Sequence, residues 1–153
     1  MIRKISYFIY KILWIVDLII YKVTNRKLLI WFSEFIEKDS YRERIILEKK
    51  VKFFAPNYIS NFLIDELFSK EKETIEWIDN FEKNKKKVFW DIGANIGIYS
   101  IYAALKHLNL EVVSFEPSTS NLRILSRNIS INNLDERIII NQFPLSNVEK
   151  KNI

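Results

Sequence analysis

The chain has no cysteine, one histidine, three prolines and two glycines in 153 residues. Without cysteine there is no disulfide framework, no thiolate-held zinc and no thiol nucleophile. A single histidine argues against a histidine-rich metal centre and against a Ser–His–Asp triad, so no metal is expected. Charge of one sign is scarce outside the front of the chain. Residues 1–50 carry 11 basic and 6 acidic groups, whereas residues 51–153 carry 13 of each. A nucleic-acid partner is therefore not expected, because such a footprint is a basic stripe across the binding domain. The run Lys85-Lys86-Lys87 reads as a solvated loop. Apolar residues at 48% and aromatics at 14% are enough for a core and exclude wholesale disorder. The length suits one ordinary domain.

The front of the chain is apolar from Ser6 to Tyr21, interrupted by Lys11 and Asp17. The stretch is short for a bilayer span, which needs about 18–20 apolar residues. Its two charges each cost about 2.5–3.5 kcal/mol at mid-membrane. No small-residue cleavage site follows, which argues against a signal peptide. Apolar residues recur at helical spacing, with Trp14, three tyrosines and flanking basic residues. Two readings stay open for 1–36: a helix lying at a membrane surface, or a helix packed on protein. The break near Thr24-Asn25 divides the segment, and 39–50 reads as a charged helix or linker. The expected setting is cytoplasmic, with or without membrane attachment. The organisation expected is a helical, basic segment over 1–50 and an α/β domain over 51–153.

Within that domain, Val51-Lys52-Phe53-Phe54 reads as a short strand, and 59–68 and 70–81 read as helices. Val88-Phe89-Trp90 is a continuous apolar run, as in a parallel strand covered on both faces. A helix over 98–108, a strand over 112–115, a helix over 119–131 and a strand over 137–140 follow. Alternating strand and helix predicts a parallel, doubly wound sheet.

Both glycines lie in Asp91-Ile92-Gly93-Ala94-Asn95-Ile96-Gly97. Average usage of about 7% would give roughly 11 glycines, so their confinement to one turn points to a backbone requirement. A glycine turn between strand and helix lets amides and the helix N-terminus approach a ligand. Gly93 permits close approach and Gly97 permits tight entry into the helix. Glu116 ends the next strand, where doubly wound sites place an acid for ribose hydroxyls. The Gly-x-Gly-x-x-Gly of a pyrophosphate site is missing, and Asp91 would repel a pyrophosphate. An anion there suits a cation, such as the sulfonium and amino groups of S-adenosylmethionine. The bland alternative is that Asp91 only caps the turn. Trp77 and Trp90 read as core residues, and His107 as a cation at a helix C-terminus. Asn132 and Asn133 read as a left-handed helix stop. Asn128-Ile129-Ser130 matches a glycosylation triplet but sits in a helix.

The run from Val88 to Ser100, then Phe115-Glu116-Pro117-Ser118, Asn121-Leu122 and Asn128-x-x-x-Asn132-Asn133-Leu134, resembles the FkbM family of S-adenosylmethionine-dependent methyltransferases. The segment from Glu71 to Asp79 is similar to a helix that some members carry. The resemblance covers roughly residues 45–150. It implies a class I methyltransferase fold, Rossmann-like, and O-methylation of a sugar or secondary-metabolite hydroxyl. By position, Asp91, Gly93, Ala94, Asn95 and Gly97 would form the cofactor loop. Glu116 would hold the ribose, and Pro117 would shape the turn beside the adenine. Leu145 and Ser146 would border the adenine edge. Family members run on for about another hundred residues that carry the acceptor pocket. This chain is therefore expected to hold the cofactor-loop half, preceded by helices, with no catalytic base assigned. An apolar strand edge open to self-association is expected with it. The alternatives are a non-catalytic remnant or cofactor-binding module, and a nicotinamide-binding protein.

Overall fold

The computed structural model describes residues 1–69, 71–82 and 87–145. Lys85, Lys86 and Ser146 therefore lie outside the described residues. The chain divides into two compact units, 1–40 and 41–153.

The first unit is a pair of helices, α1 (Ile2–Thr24) and α2 (Leu29–Asp39). Asn25 ends α1 in the left-handed conformation (φ 54°), and its N–H bonds the Tyr21 carbonyl. The break expected near Thr24-Asn25 is this cap. Asp17, the one acid of α1, is buried and accepts the N–H of Leu29 at 2.9 Å. It thus satisfies one of the free donors at the start of α2. Among the described residues no helix is long and apolar enough to cross a membrane.

The second unit begins with strands β1 (Tyr41–Ile46) and β2 (Lys49–Phe54), paired antiparallel. This corrects the expected charged helix or linker over 39–50. The hairpin turns at Leu47 and Glu48, both at positive φ (50° and 63°). Neither residue type signals such a turn. The strand's charged residues lie outward, while Ile46, Val51, Phe53 and Phe54 are buried. Helices α3 (Tyr58–Asp65) and α4 (Lys72–Asp79) follow. Asn57 starts α3 with a capping box formed with Ser60. Arg42 of β1 grips Asp65 of α3 with two bonds, at 2.9 and 2.7 Å.

The rest is an α/β, Rossmann-like alternation: β3 (Lys87–Ile92), α5 (Ile98–Lys106), β4 (Leu110–Phe115), α6 (Thr119–Ser130) and β5 (Ile138–Asn141). The three strands are parallel in the order β3-β4-β5. Phe89, Val112 and Ile138 share the core with Ile101 and Ala104 of α5. The opposite face is not covered as the apolar run suggested. Val88, Trp90 and Ile92 are 51%, 57% and 65% exposed. Strand alternation puts them on one face, and that face meets solvent. Trp90 is therefore not a core residue; its ring lies 5.3 Å from Phe115. Trp77 is likewise on the flank, edge-on to Phe81 and Phe89 at 4.9 and 5.8 Å.

Two polar anchors close the unit. Arg137 donates to the carbonyls of Ala104, His107 and Leu110 and so brings a cation to the end of α5, beside Lys106 of its last turn. His107 instead places Nε2 2.7 Å from the Ile78 carbonyl and stacks on Phe81. Asn128 is fully buried in α6. Its Oδ1 accepts the Phe54 N–H at 2.7 Å, and its Nδ2 donates to the Ile96 carbonyl at 2.9 Å. One side chain thus ties the hairpin and the glycine turn to α6. One turn on, Asn132 makes the matching pair of bonds to the Lys52 backbone, and Asn133 takes the left-handed stop (φ 55°).

Candidate functional site

Strand β3 delivers Asp91 to the carboxyl end of the sheet, and the chain then turns through Gly93 (φ 78°), Asn95 (φ 52°) and Gly97 (φ 85°). A Cβ at Gly93 would meet nothing within 4 Å; it would project into open space. A Cβ at Gly97 would collide with Leu125 Cδ1 of α6. The two glycines thus serve different needs. Gly97 lets the turn lie against α6, while Gly93 leaves a cradle that any side chain would begin to fill.

The turn's amides face inward. The N–H groups of Gly93 and Ala94 bond the Phe115 carbonyl at 2.8 and 3.0 Å, and that of Gly97 bonds Ala94. The Asn95 N–H bonds Glu116 Oε2 at 2.8 Å. These four donors are committed within the protein, contrary to the expectation that the loop amides approach a ligand. A pyrophosphate site relies on such amides being free. Glu116 itself is buried, and its Oε1 accepts the Ser118 N–H at 2.8 Å. Both carboxylate oxygens are fixed by backbone donors, each with a second lone pair remaining.

Asp91 is buried and accepts the Ser100 hydroxyl at 2.5 Å, and Ser100 lies 2.7 Å from Ser114. Burial pushes the Asp91 carboxyl above its ordinary range; the Ser100 hydroxyl opposes this, and the Glu116 and Glu71 charges add to it. Burial and a bond to Glu71 likewise raise the Tyr99 phenol.

A cavity of about 310 Å³ opens beside the turn, lined by Asp91, Gly93, Ala94 and Asn95 together with Glu66, Glu71, Thr74 and Tyr99. Three carboxylates line it and, among the described residues, no lysine or arginine does. Nor, among the described residues, does an ion pair join a cation to Asp91 or Glu116. Negative charge left unbalanced in a partly desolvated cleft favours a cation. The residues fit S-adenosylmethionine on three counts: the acidic cavity, the cradle at Gly93, and a carboxylate pre-set to accept hydroxyl donors. Glu66 and Glu71 carry no spacing relation to the glycine turn, so only the fold brings them to it. Gly97 does not line the cavity, Pro117 is exposed after Glu116, and Leu145 is exposed.

The sign of the Asp91 shift gives a testable consequence. A carboxyl whose folded pKa lies above its unfolded value binds more protons in the fold. Its contribution to stability is then lost as pH rises from the unfolded value through the raised one. Asp91→Asn removes that loss and keeps an acceptor for Ser100. The variant is expected to be at least as stable as the parent at pH 7, with a flatter stability profile over the carboxylate range. Urea unfolding at several pH values checks this; a variant clearly less stable at pH 7 would contradict it.

No family model matches the chain, and no curated protein matches it. Solved structures do. The C-terminal domain of precorrin-6Y C5,15-methyltransferase from Rhodobacter capsulatus matches at 20% identity and TM-score 0.42, over 50% of this chain and 40% of that one. TYW2 of P. horikoshii, in complex with MeSAdo, matches at 20% and TM-score 0.49, over 69% and 37%. A protein of Methanococcus maripaludis described as an S-adenosyl-L-methionine-dependent methyltransferase matches at 25% and TM-score 0.47, over 60% and 40%. The chain thus spans 37% to 40% of the length of these structures.

Proposed function

We propose that residues 41–153 bind S-adenosylmethionine as part of a methyltransferase. The observation that carries this is the acidic cavity of Glu66, Glu71 and Asp91, lined by no lysine or arginine among the described residues, beside an open glycine cradle. In this reading Asp91, Glu66 and Glu71 face the cationic end of the cofactor, and Glu116 accepts from its ribose. Gly93, Ala94 and Asn95 give the turn its shape, and Pro117 turns the chain beside the adenine. The cofactor supplies a methyl group already activated by its sulfonium charge.

The protein's own part is positioning. Ser100 holds the Asp91 carboxyl from behind, and Asn95 and Ser118 hold Glu116. Fixed acceptors bind without being ordered at the moment of reaction, which is where proximity and alignment gain rate. The resemblance to the FkbM family extends the proposal to O-methylation of a small-molecule or glycan hydroxyl. It rests on the extended run from Val88 to Ser100 with Phe115-Glu116-Pro117. The edge of β3 that no strand pairs among the described residues, with Val88 and Trp90 exposed beside it, suits pairing with a further strand, including one from a second copy.

Thermal unfolding tests the cofactor reading. A ligand that binds only the fold raises the midpoint as its concentration passes Kd. S-adenosylhomocysteine, which keeps the ammonium, is expected to raise it more than adenosine. Equal shifts would remove the acidic cavity from the account, and no shift with either would remove the cofactor.

A further inference from the structure

Helix α1 sorts its residues by direction. At 3.6 residues per turn, Ile5, Phe8, Ile9, Ile12, Val16 and Ile19 fall on one arc of about 100°. Each is between 39% and 66% exposed. The contact with α2 does not cover this arc: the positions of α1 that are not exposed are Leu13, Asp17 and Ile20, on its border. Lys4, Lys11 and Lys22, all exposed, flank this arc, about 100° from its centre, and Tyr7, Tyr10, Trp14 and Tyr21 lie beyond them. The lysine spacings of 7 and 11 residues each close to within about 20° of whole turns, so the three form one stripe. Lys11 lies between two aromatic rings, 5.6 Å from Tyr7 and 5.1 Å from Trp14.

The charge balance of the surface follows from Asp17. It is the only acid in residues 1–27, against six basic residues, and it is buried on the Leu29 N–H. Residues 1–27 therefore hide their one negative group and present basic charge alone, whereas α2 carries Glu34, which pairs with Lys38, together with Glu37 and Asp39. Exposed Trp31 and Phe35 extend the apolar surface onto α2.

We infer that the α1–α2 hairpin is a docking surface for a bilayer rich in anionic lipid. The apolar arc enters the acyl boundary, and the lysines and ring-flanked Lys11 lie at headgroup level. Charge complementarity selects this occupant. A wide arc with basic flanks and interfacial Trp and Tyr is the pattern of a helix lying in the membrane plane. A second copy fits less well. Helix α1 offers no exposed acid to the partner's lysines.

Flotation of the full chain with vesicles tests this. One set is pure phosphatidylcholine; the other has about one phosphatidylglycerol in three lipids, enough for an attractive surface potential. Binding is expected on the anionic vesicles, weak on the neutral ones, and reduced by high salt. Each basic residue near such a surface adds roughly a factor of five. The combined Lys4→Glu, Lys11→Glu and Lys22→Glu variant is therefore expected to lose about a hundredfold. These side chains are exposed, and circular dichroism should be unchanged. Ile12→Asp with Ile19→Asp should also abolish flotation. Equal binding to both vesicles, or charge reversal without effect, would overturn the inference. So would no flotation together with a dimer in light scattering, which would make a second copy the occupant.

Discussion

Asn128→Ala is expected to destabilise the α/β unit by about 3–4 kcal/mol, enough to lower its melting point by roughly 15 °C. The reason is what the side chain leaves behind. Its carbonyl oxygen satisfies the Phe54 N–H and its amide satisfies the Ile96 carbonyl, both in a site with no solvent exposure at Asn128. Removing the side chain orphans one buried donor and one buried acceptor. Each costs about 1–3 kcal/mol, more than the net gain of an ordinary hydrogen bond. Asn132→Ala is the control. It breaks a similar pair of bonds to Lys52, but at the surface, where water replaces them. Its expected cost is under about 1 kcal/mol. Denaturant unfolding of the two variants separates the cases. Equal losses would mean that Asn128 is not the clamp described.

Glu116→Gln is expected to weaken S-adenosylmethionine binding by about a thousandfold. The substitution keeps size and shape, so the effect is one of hydrogen-bond sign. Two backbone donors, Asn95 N–H and Ser118 N–H, converge on the two carboxylate oxygens. An amide has one acceptor oxygen and one donor nitrogen, so one N–H would face another donor. The glycine turn would lose an anchor, and the ribose would lose a charged acceptor. Hydrogen bonds to a charged group are worth about 1.5–3 kcal/mol each, and two of them amount to the stated factor. Calorimetric titration reads the change directly, and circular dichroism checks that the fold persists.

Much of the parallel sheet was legible because each signal was local. Apolar runs marked β3, β4 and β5, and the confinement of glycine to 93 and 97 marked the turn. The left-handed stop at Asn133 was legible for the same reason. What escaped was set by distance or by unmarked backbone. The hairpin at 41–54 turns on Leu47 and Glu48, which look like ordinary strand or helix residues. Trp90 reads as core from its neighbours alone; its exposure depends on what lies over the sheet. Glu66 and Glu71 reach the cavity from the α3–α4 segment, more than twenty residues before the glycines. The roles of Asp17 and Asn128 are also contacts across the fold, at sequence separations of 12 and 74.

A competition titration tests the central claim most directly. The parent chain is titrated with S-adenosylmethionine, alone and in the presence of NAD. Inward-facing amides and three carboxylates at the cavity predict saturable binding of the cation and no competition from the pyrophosphate. Displacement of S-adenosylmethionine by NAD, or tighter binding of NAD, would contradict the account.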